Sequence, residues 1–400
     1  MKLFKKDELR LLWPFYLMVF LAGAFSVVFP IWIIFFQQKF TYLQISFALA
    51  ISSAAMILFE IPTGAFADIF GRKSSVILSL ILRSLVWFVL PFVSTPFILY
   101  TAFFFIGVFM TFKSGADEAW IIDWLKHNKK ENLIHEMYIK IQSIHSIGFV
   151  IGPLLTTLLL FFLEMKHLFF VEGSGALFIS LMLIFFAKEY FVRRKAKLRE
   201  KAYHTIKTIK RGTSYLFSHK TLFYLIIAEM AIAFAQEFNI VAWQPLLVDL
   251  ALPVQYLGLI FSAVSVIGIA TPFLTKKLLK QIGYEKHYLA LTTALQFLAL
   301  ISLCFIERPF FLLGVAVFLL INIMADLRLP VRSMYFQSFV PNKIRATTTS
   351  TQSMILSAVA FFVIVAGGYI IDKIGPKMAI VAFAFFLIPA TIFYLLIKNK

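Results

Sequence analysis

Long runs of apolar residues alternate along the chain with short polar stretches, and the runs set its organisation. A helix must continue for roughly 20 residues to cross about 30 Å of hydrocarbon. Twelve runs are long enough, at approximately 11–36, 44–66, 75–93, 97–122, 138–163, 167–188, 222–248, 254–275, 287–306, 310–331, 348–371 and 377–397. A helix satisfies every backbone N–H and C=O within its own segment, which hydrocarbon demands. The pattern therefore predicts an all-α membrane protein with twelve transmembrane helices. The first run follows a basic start, Met1 to Arg10, but is too long for a signal-peptide core and carries no small-residue cleavage site, so it reads as a retained span.

The polar stretches are unequal in charge. One face collects Lys2, Lys5, Lys6, Arg10, Arg72, Lys73, Lys126, Lys129, Lys130, Lys276, Lys277, Lys280, Lys343, Arg345, Lys398 and Lys400, together with the whole segment between the sixth and seventh runs. The other face has Lys39, Lys166, Arg308, Lys373 and Lys377. The excess of cations marks the cytoplasmic side, so both termini are expected there, in a multi-pass protein of the cell membrane. The chain divides into a six-helix half at 1–188, a basic cytoplasmic linker at 189–220 and a second six-helix half at 221–400. In the linker, Arg193, Arg194, Lys195, Lys197, Arg199, Lys201, Lys207, Lys210 and Arg211 alternate with Leu198, Ile206, Ile209 and Leu216. That alternation suits a helix lying on anionic lipid headgroups; a plain basic linker also follows from the topology itself.

A weak repeat links the halves: Asn132, Ile134, Gln142 and Ser143 return at constant offset as Asn342, Ile344, Gln352 and Ser353. Gly71 has a counterpart in Gly283, although Lys280 stands where the first copy has Asp68. Pseudo-symmetric parallel halves around a midplane site are one architecture for alternating access.

Composition agrees with the pattern: 61% of residues are hydrophobic and 14% charged, with mean hydropathy +0.88, against about a quarter charged in soluble domains. A net charge of +18 would suggest nucleic acid on a soluble surface; here it sits in membrane-flanking loops. Cys304 alone offers neither a disulfide nor a cysteine metal site. No metalloprotease, phosphate-loop or serine-hydrolase motif occurs, so no enzyme activity, cofactor or metal is expected. The expected energy source is an ion gradient or that of the substrate.

Between the second and third runs lies Gly64-Ala-Phe-Ala-Asp68-Ile-Phe-Gly71-Arg72-Lys73, preceded by Glu60-Ile-Pro62-Thr. Gly64 permits close helix approach, Asp68 can face the positive end of a helix, and Arg72 and Lys73 mark the cytoplasmic side. This spacing resembles the loop between the second and third helices of the major facilitator superfamily. Pro341-Asn-Lys-Ile-Arg345-Ala-Thr347 is similar to the start of the eleventh helix in that superfamily, with Thr347 as its expected helix cap. The resemblance implies that Asp68 meets that helix start when the cytoplasmic side closes, with Gly64, Gly71, Arg72, Lys73, Arg345 and Thr347 completing the gate. Gly148-x3-Gly152-Pro153 in the fifth run resembles the first part of the motif of the drug/proton antiporter branch, but Thr156 and Thr157 replace the Gly-Gly that should follow. Helix packing explains the same glycines equally.

Ionisable residues within a span are functional candidates by default. The fourth run contains Lys113, Asp117 and Glu118; the seventh Glu229, Gln236, Glu237 and Asn239; the tenth Asn322, Asp326 and Arg328. The resemblance makes these three of the four cavity-lining helices, with Lys113, Asp117, Gln236, Asn239, Asn322 and Asp326 as candidate substrate contacts. Structural pairing is the competing account: Asp117 or Glu118 with Lys113 or Arg83, and Asp326 with Arg328 or Arg332. Glu237 lies midway through its span in a helix without a cation, so it reads either as a proton-coupling carboxyl or as a buried hydrogen-bonding one. Glu229 is the alternative coupling residue, and His145 reads as either a titrating or a packed side chain.

The expected function is secondary transport of a small molecule by alternating access. Proton-coupled export of a hydrophobic or amphipathic compound is the leading form, supported by the partial antiporter motif, the acidic seventh run and 48 Phe. Proton-coupled uptake of a solute is a second reading, kept open by Asn239 and Asn322. A non-transporting receptor or scaffold is a third. The expected partners are the substrate, protons and membrane lipids, with no nucleic acid, and the expected state is a monomer. Topology is tested with single cysteines at Ser94 and Ser214: impermeant thiol reagents should reach the first from outside the cell and the second from inside, and labelling of both from one side refutes the orientation.

Overall fold

The structure is a computed structural model that describes residue 4 and residues 6–191, 212–341 and 344–397. The basic run Arg193–Arg211, together with Lys2, Lys5, Asn342, Lys343, Lys398 and Lys400, lies outside the described residues. Among the described residues, ten helical stretches are long and apolar enough to cross a membrane. The last, Thr347–Leu396, spans 50 residues and breaks at Gly375, whose φ of 77° and ψ of 163° are followed by Pro376, so it supplies two spans. The first span consists of helices Lys6–Ala24 and Trp32–Phe36, which completes the twelve. Pro14, Pro62, Pro153, Pro245, Pro272 and Pro330 all lie inside helices, a placement that membrane helices tolerate because neighbours and side chains satisfy the freed groups. Outward-pointing Phe97, Phe162, Phe185, Phe273 and Phe305 are each at least 77% exposed, as side chains facing lipid would be.

Three of the spans expected to be continuous are interrupted. The first breaks between Ala24 and Trp32. The fourth breaks between helices Pro96–Thr111 and Ala116–His127, where Gly115 takes φ 69°. The seventh breaks between Lys220–Gln236 and Asn239–Asp249. Hydropathy detects the length of a segment and is blind to a few non-helical residues within it, which accounts for the difference.

The chain forms two compact units. The first comprises residues 1–35, 51–201 and 255–262, and the second residues 36–50, 202–254 and 263–400. In the first unit, the first and fifth spans approach through glycine: a Cβ on Gly23 would lie 2.7 Å from the Gly148 carbonyl carbon, and Cβ atoms on Gly148 and Gly152 would overlap the carbonyl oxygens of Phe20 and Gly23. Small residues let backbones meet where no aqueous hydrophobic effect drives association. Near the start of the same helix, Glu8 is fully buried, accepting hydrogen bonds from Tyr16 Oη and Lys140 Nζ at 2.6 Å each. Phe15 meets Trp120 edge-on with ring centroids 4.9 Å apart. Residues 255–262 join this unit through Ser262, whose Oγ donates to the Val150 carbonyl at 2.8 Å.

In the second unit Tyr288 and Tyr394 are fully buried, and Phe238 packs against Phe383 with centroids 4.2 Å apart. Residues 36–50 are held in this unit by Asp372. Its Oδ1 and Oδ2 accept the Tyr42 and Leu43 N–H groups, each at 2.9 Å. The glycine contacts give a direct test. Gly148→Leu or Gly152→Leu forces the first and fifth spans apart, and overpacking of this kind costs roughly 1–3 kcal/mol. Both variants should lower the melting temperature of the purified protein, whereas Gly64→Ala, with nothing within 4 Å of the added atom, should leave it unchanged.

Candidate functional site

A broken helix in hydrocarbon exposes backbone groups that must find partners, and each break gathers polar side chains. At the first break, Val28 N–H donates to Glu172 Oε2 at 2.9 Å, and Thr156 Oγ1 donates to the Val27 carbonyl at 2.7 Å. Sixth-span Glu172 and fifth-span Thr156 thus satisfy one donor and one acceptor of the interruption. Thr156, a departure from the antiporter pattern, has a structural use here that glycine could not supply. Gly148 and Gly152 serve the close contact with the first span, and Pro153 follows them as a buried residue.

The fourth-span break holds Lys113. Its Nζ lies 3.8 Å from Asp117 Oδ2, while Asp117 Oδ1 accepts the Glu118 N–H at 2.9 Å in the first helical turn, where an acid is favoured. One half of the expected pairing is therefore present. Glu118 instead accepts a hydrogen bond from Tyr138 Oη at 3.3 Å. Arg83 lies in the field of Glu172, with its Nε buried and lacking a hydrogen-bond partner. His145 packs against Phe149 with ring centroids 5.1 Å apart, within the field of Lys113.

The seventh-span break falls at Glu237. Its backbone N–H donates to Ala233 O at 2.9 Å as the C-cap of helix Lys220–Gln236, and its side chain is exposed. The surrounding protein nevertheless removes part of the hydration of its carboxyl. A cation is also at hand, since Arg332 of the tenth span acts electrostatically on Glu237. Beside the break, Asn239 is buried, with Nδ2 3.4 Å from the Ala235 carbonyl and Oδ1 without a partner. Gln236 is half-buried. In the tenth span, Asn322 Nδ2 donates to Phe318 O at 2.7 Å.

Glu229 is a buried ion-pairing residue. Its Oε2 lies 2.6 Å from Arg332 Nη1 and its Oε1 accepts from Tyr394 Oη at 2.7 Å. Arg328 turns to the ninth span, donating through Nη1 to Gln296 Oε1 at 2.8 Å and Thr293 Oγ1 at 3.3 Å. The expected pairing of Asp326 with Arg328 or Arg332 is therefore replaced. Positions two and six apart do not share a helix face, and the Asp326 carboxylate lies over Gly268, 3.2 Å from where a Cβ would stand.

The second-to-third-span loop forms a polar cluster within the first unit. Gly71 has φ 100°, and a Cβ there would approach Glu189 Oε2 at 2.9 Å, so the position requires glycine. Glu189 Oε1 accepts the Arg72 and Lys73 N–H groups at 2.6 and 3.0 Å, capping helix Arg72–Val89. The Arg72 guanidinium pairs with Asp123, and Lys73 Nζ donates to Ala187 O at 2.7 Å. Asp68, Arg72, Asp123, His127, Glu189 and Tyr190 line a cavity of about 310 Å³. In the second unit, helix Arg345–Ala384 has Ile344 as N-cap without a side-chain cap bond. Thr347 thus lies inside the first turn instead of capping it; its carbonyl accepts from Thr351 Oγ1 at 2.9 Å.

Glu172 and Glu189 escaped the sequence reading for different reasons. Glu172 is an acid inside the sixth run, and the rule applied to the fourth, seventh and tenth would have selected it. Glu189 stands at the edge of the basic linker, where nothing local distinguishes it from a solvated charge.

The profile of the Major Facilitator Superfamily matches residues 14–361. An uncharacterized MFS-type transporter of Bacillus subtilis (strain 168), YxaM, is 28% identical over 386 residues, covering 94% of this chain and 93% of that protein. Among solved structures, the nucleoside transporter NupG superposes with a TM-score of 0.76 at 15% identity, over 96% of this chain and 99% of its own. A bacterial homolog of the human lysosomal transporter Spinster gives 0.71 at 15%, over 96% of both chains. With twelve spans and a profile match over most of its length, the chain belongs to the Major Facilitator Superfamily and is a secondary transporter of a small molecule.

Proposed function

We propose that this transporter exchanges protons for a hydrophobic or amphipathic compound, exporting it across the cell membrane by alternating access, with both termini cytoplasmic. The observation that carries the reading is Glu237: an accessible carboxylate at a helix break, midway along its span and in the field of Arg332. Half-helices at a break are recurrent ion and substrate sites in transporters. A carboxyl that gains and loses a proton here changes the charge of the break, so a proton and a substrate can compete for the same environment. Aromatic surfaces support an amphipathic cargo: Phe29, in the first-span break, meets Phe149 and Phe261 edge-on at centroid distances of 5.9 and 5.3 Å. Gly64, Asp68, Arg72, Arg345 and Thr347 serve as the cytoplasmic gate in this account.

Uptake of a polar solute is the second reading. It is favoured by the buried Asn239 Oδ1 without a partner, since an unsatisfied buried acceptor is costly and a hydroxyl or amide of a solute would satisfy it. The likeness to a nucleoside transporter suggests one solute class to include.

Glu237→Gln in proteoliposomes should abolish substrate movement driven by an imposed pH gradient while preserving substrate binding that no longer changes with pH. Accumulation that persists when only the pH gradient is supplied refutes the assignment and directs the same test to Asp326. Everted vesicles then separate the two directions of transport: proton-driven filling supports export, and filling of right-side-out vesicles supports uptake.

Glu229→Gln separates a structural pair from a coupling site. It leaves Arg332 without its carboxylate, and breaking a buried pair costs roughly 3 kcal/mol. The melting temperature should fall while the pH dependence of any remaining binding stays as in the parent. An unchanged melt together with a lost pH response would transfer the coupling role to Glu229.

A further inference from the structure

The gate motif occurs a second time. Gly64-x3-Asp68-x2-Gly71-x-Lys73 is matched by Gly368-x3-Asp372-x2-Gly375-x-Lys377, all four residues at a constant offset. The backbone repeats as well. Gly71 has φ 100° and ψ 149°, Gly375 φ 77° and ψ 163°, and each is followed directly by the next helix. One copy ends the second span and the other the eleventh. Nine crossings separate them, so they lie on opposite faces of the membrane.

We propose that Asp372 is a positioning residue for transport: its carboxylate is a reversible latch on the start of the second span, the opposite-face counterpart of the Asp68 gate. The proposal rests on reading the chain as an alternating-access transporter. Helix Tyr42–Phe70 begins with N–H groups that lack intrahelical partners. Asp372 takes the first two, one on each oxygen, at 2.9 Å, and charge-assisted bonds at the positive end of a helix are the strong kind. One turn before it, Gly368 permits the approach: a Cβ there would lie 2.6 Å from Tyr42 O and from Ser46 Cβ. At the equivalent place in the other copy, Gly64 has nothing within 4 Å. The motif is therefore packed in one copy and open in the other.

The helix start does not depend on Asp372 for its integrity. Thr41 N–H donates to Gln44 Oε1 at 3.0 Å and Gln44 N–H to Thr41 Oγ1 at 3.2 Å, a reciprocal capping box. Release of the carboxylate hands two N–H groups to water and leaves the helix capped. That is the behaviour of a latch rather than of a structural staple.

The test uses full-length protein in nanodiscs, with Cys304→Ser to remove the exposed native thiol. Spin labels at Ser94 and Glu307 report on the face of Asp372, and labels at Lys129 and Ser218 on the face of Asp68. Asp372→Asn should lengthen the Ser94–Glu307 distances and shorten the Lys129–Ser218 distances, changing the ratio of the two states about fivefold. Asp68→Asn should change both in the opposite sense. The double variant should return toward the parent, Asp372→Glu should stay near the parent, and the melting temperature of Asp372→Asn should be unchanged. A Ser94–Glu307 distribution unaffected by Asp372→Asn, or shifted in the same sense as by Asp68→Asn, overturns the latch, as does a large fall in melting temperature without a shift in distances. The readout needs neither substrate nor pH gradient, so failure of Glu237 as coupling residue leaves it intact. If neither aspartate variant moves either distance, alternating access itself falls, and the latch with it.

Discussion

Hydrocarbon offers no hydrogen bonds, and every other feature of this protein answers to that constraint. It forces the chain into helices, and it makes each interruption of a helix a demand for a specific polar neighbour. The first span breaks where Glu172 and Thr156 reach one freed donor and one freed acceptor. The fourth breaks beside the Lys113–Asp117 pair, and the seventh at Glu237 and Asn239. Some of the polar residues that look like scattered defects in an apolar sequence thus stand where the backbone itself is polar, whereas Asn322, Asp326, Arg328 and Arg332 lie in the unbroken helix Phe311–Ser338.

Legibility in the sequence followed the physical range of each signal. Span number and helix type come from hydropathy summed over some twenty residues, a signal robust to local error, and these were readable. Gly71 was readable too, because the turn it makes is local. Partners brought together by tertiary packing were not. Glu189 caps a helix that begins more than a hundred residues earlier, and Glu229 finds Arg332 and Tyr394 on two distant spans. Charge proximity along one helix suggested Asp326 with Arg328; the side chains diverge because neighbours two apart project in different directions. The second copy of the Gly-x3-Asp motif was missed for another reason. Symmetry between corresponding loops pairs Gly71 with Gly283, whereas the better match lies at the end of the eleventh span.

Charge is held in two ways. In the first, the Arg72–Asp123 pair and the Glu189 cap surround a cavity of about 310 Å³ at the membrane edge, where water moderates the cost of separating ions. In the second, Glu229, 2% exposed, is sealed among the seventh, tenth and twelfth spans, where removing either partner leaves an expensive residue behind. Edge pairs suit rearrangement, and sealed pairs suit permanence.

Arg332 has two carboxylates to serve. It holds Glu229 at 2.6 Å and also acts on Glu237 across the break, eight residues further along the seventh span. A guanidinium tethered in this way cannot swing fully toward Glu237 without stranding Glu229, so it answers a charge at the break by a pull rather than by a jump. Because Tyr394 shares the tether from the last span, the Glu229 carboxylate joins the seventh, tenth and twelfth spans at one point.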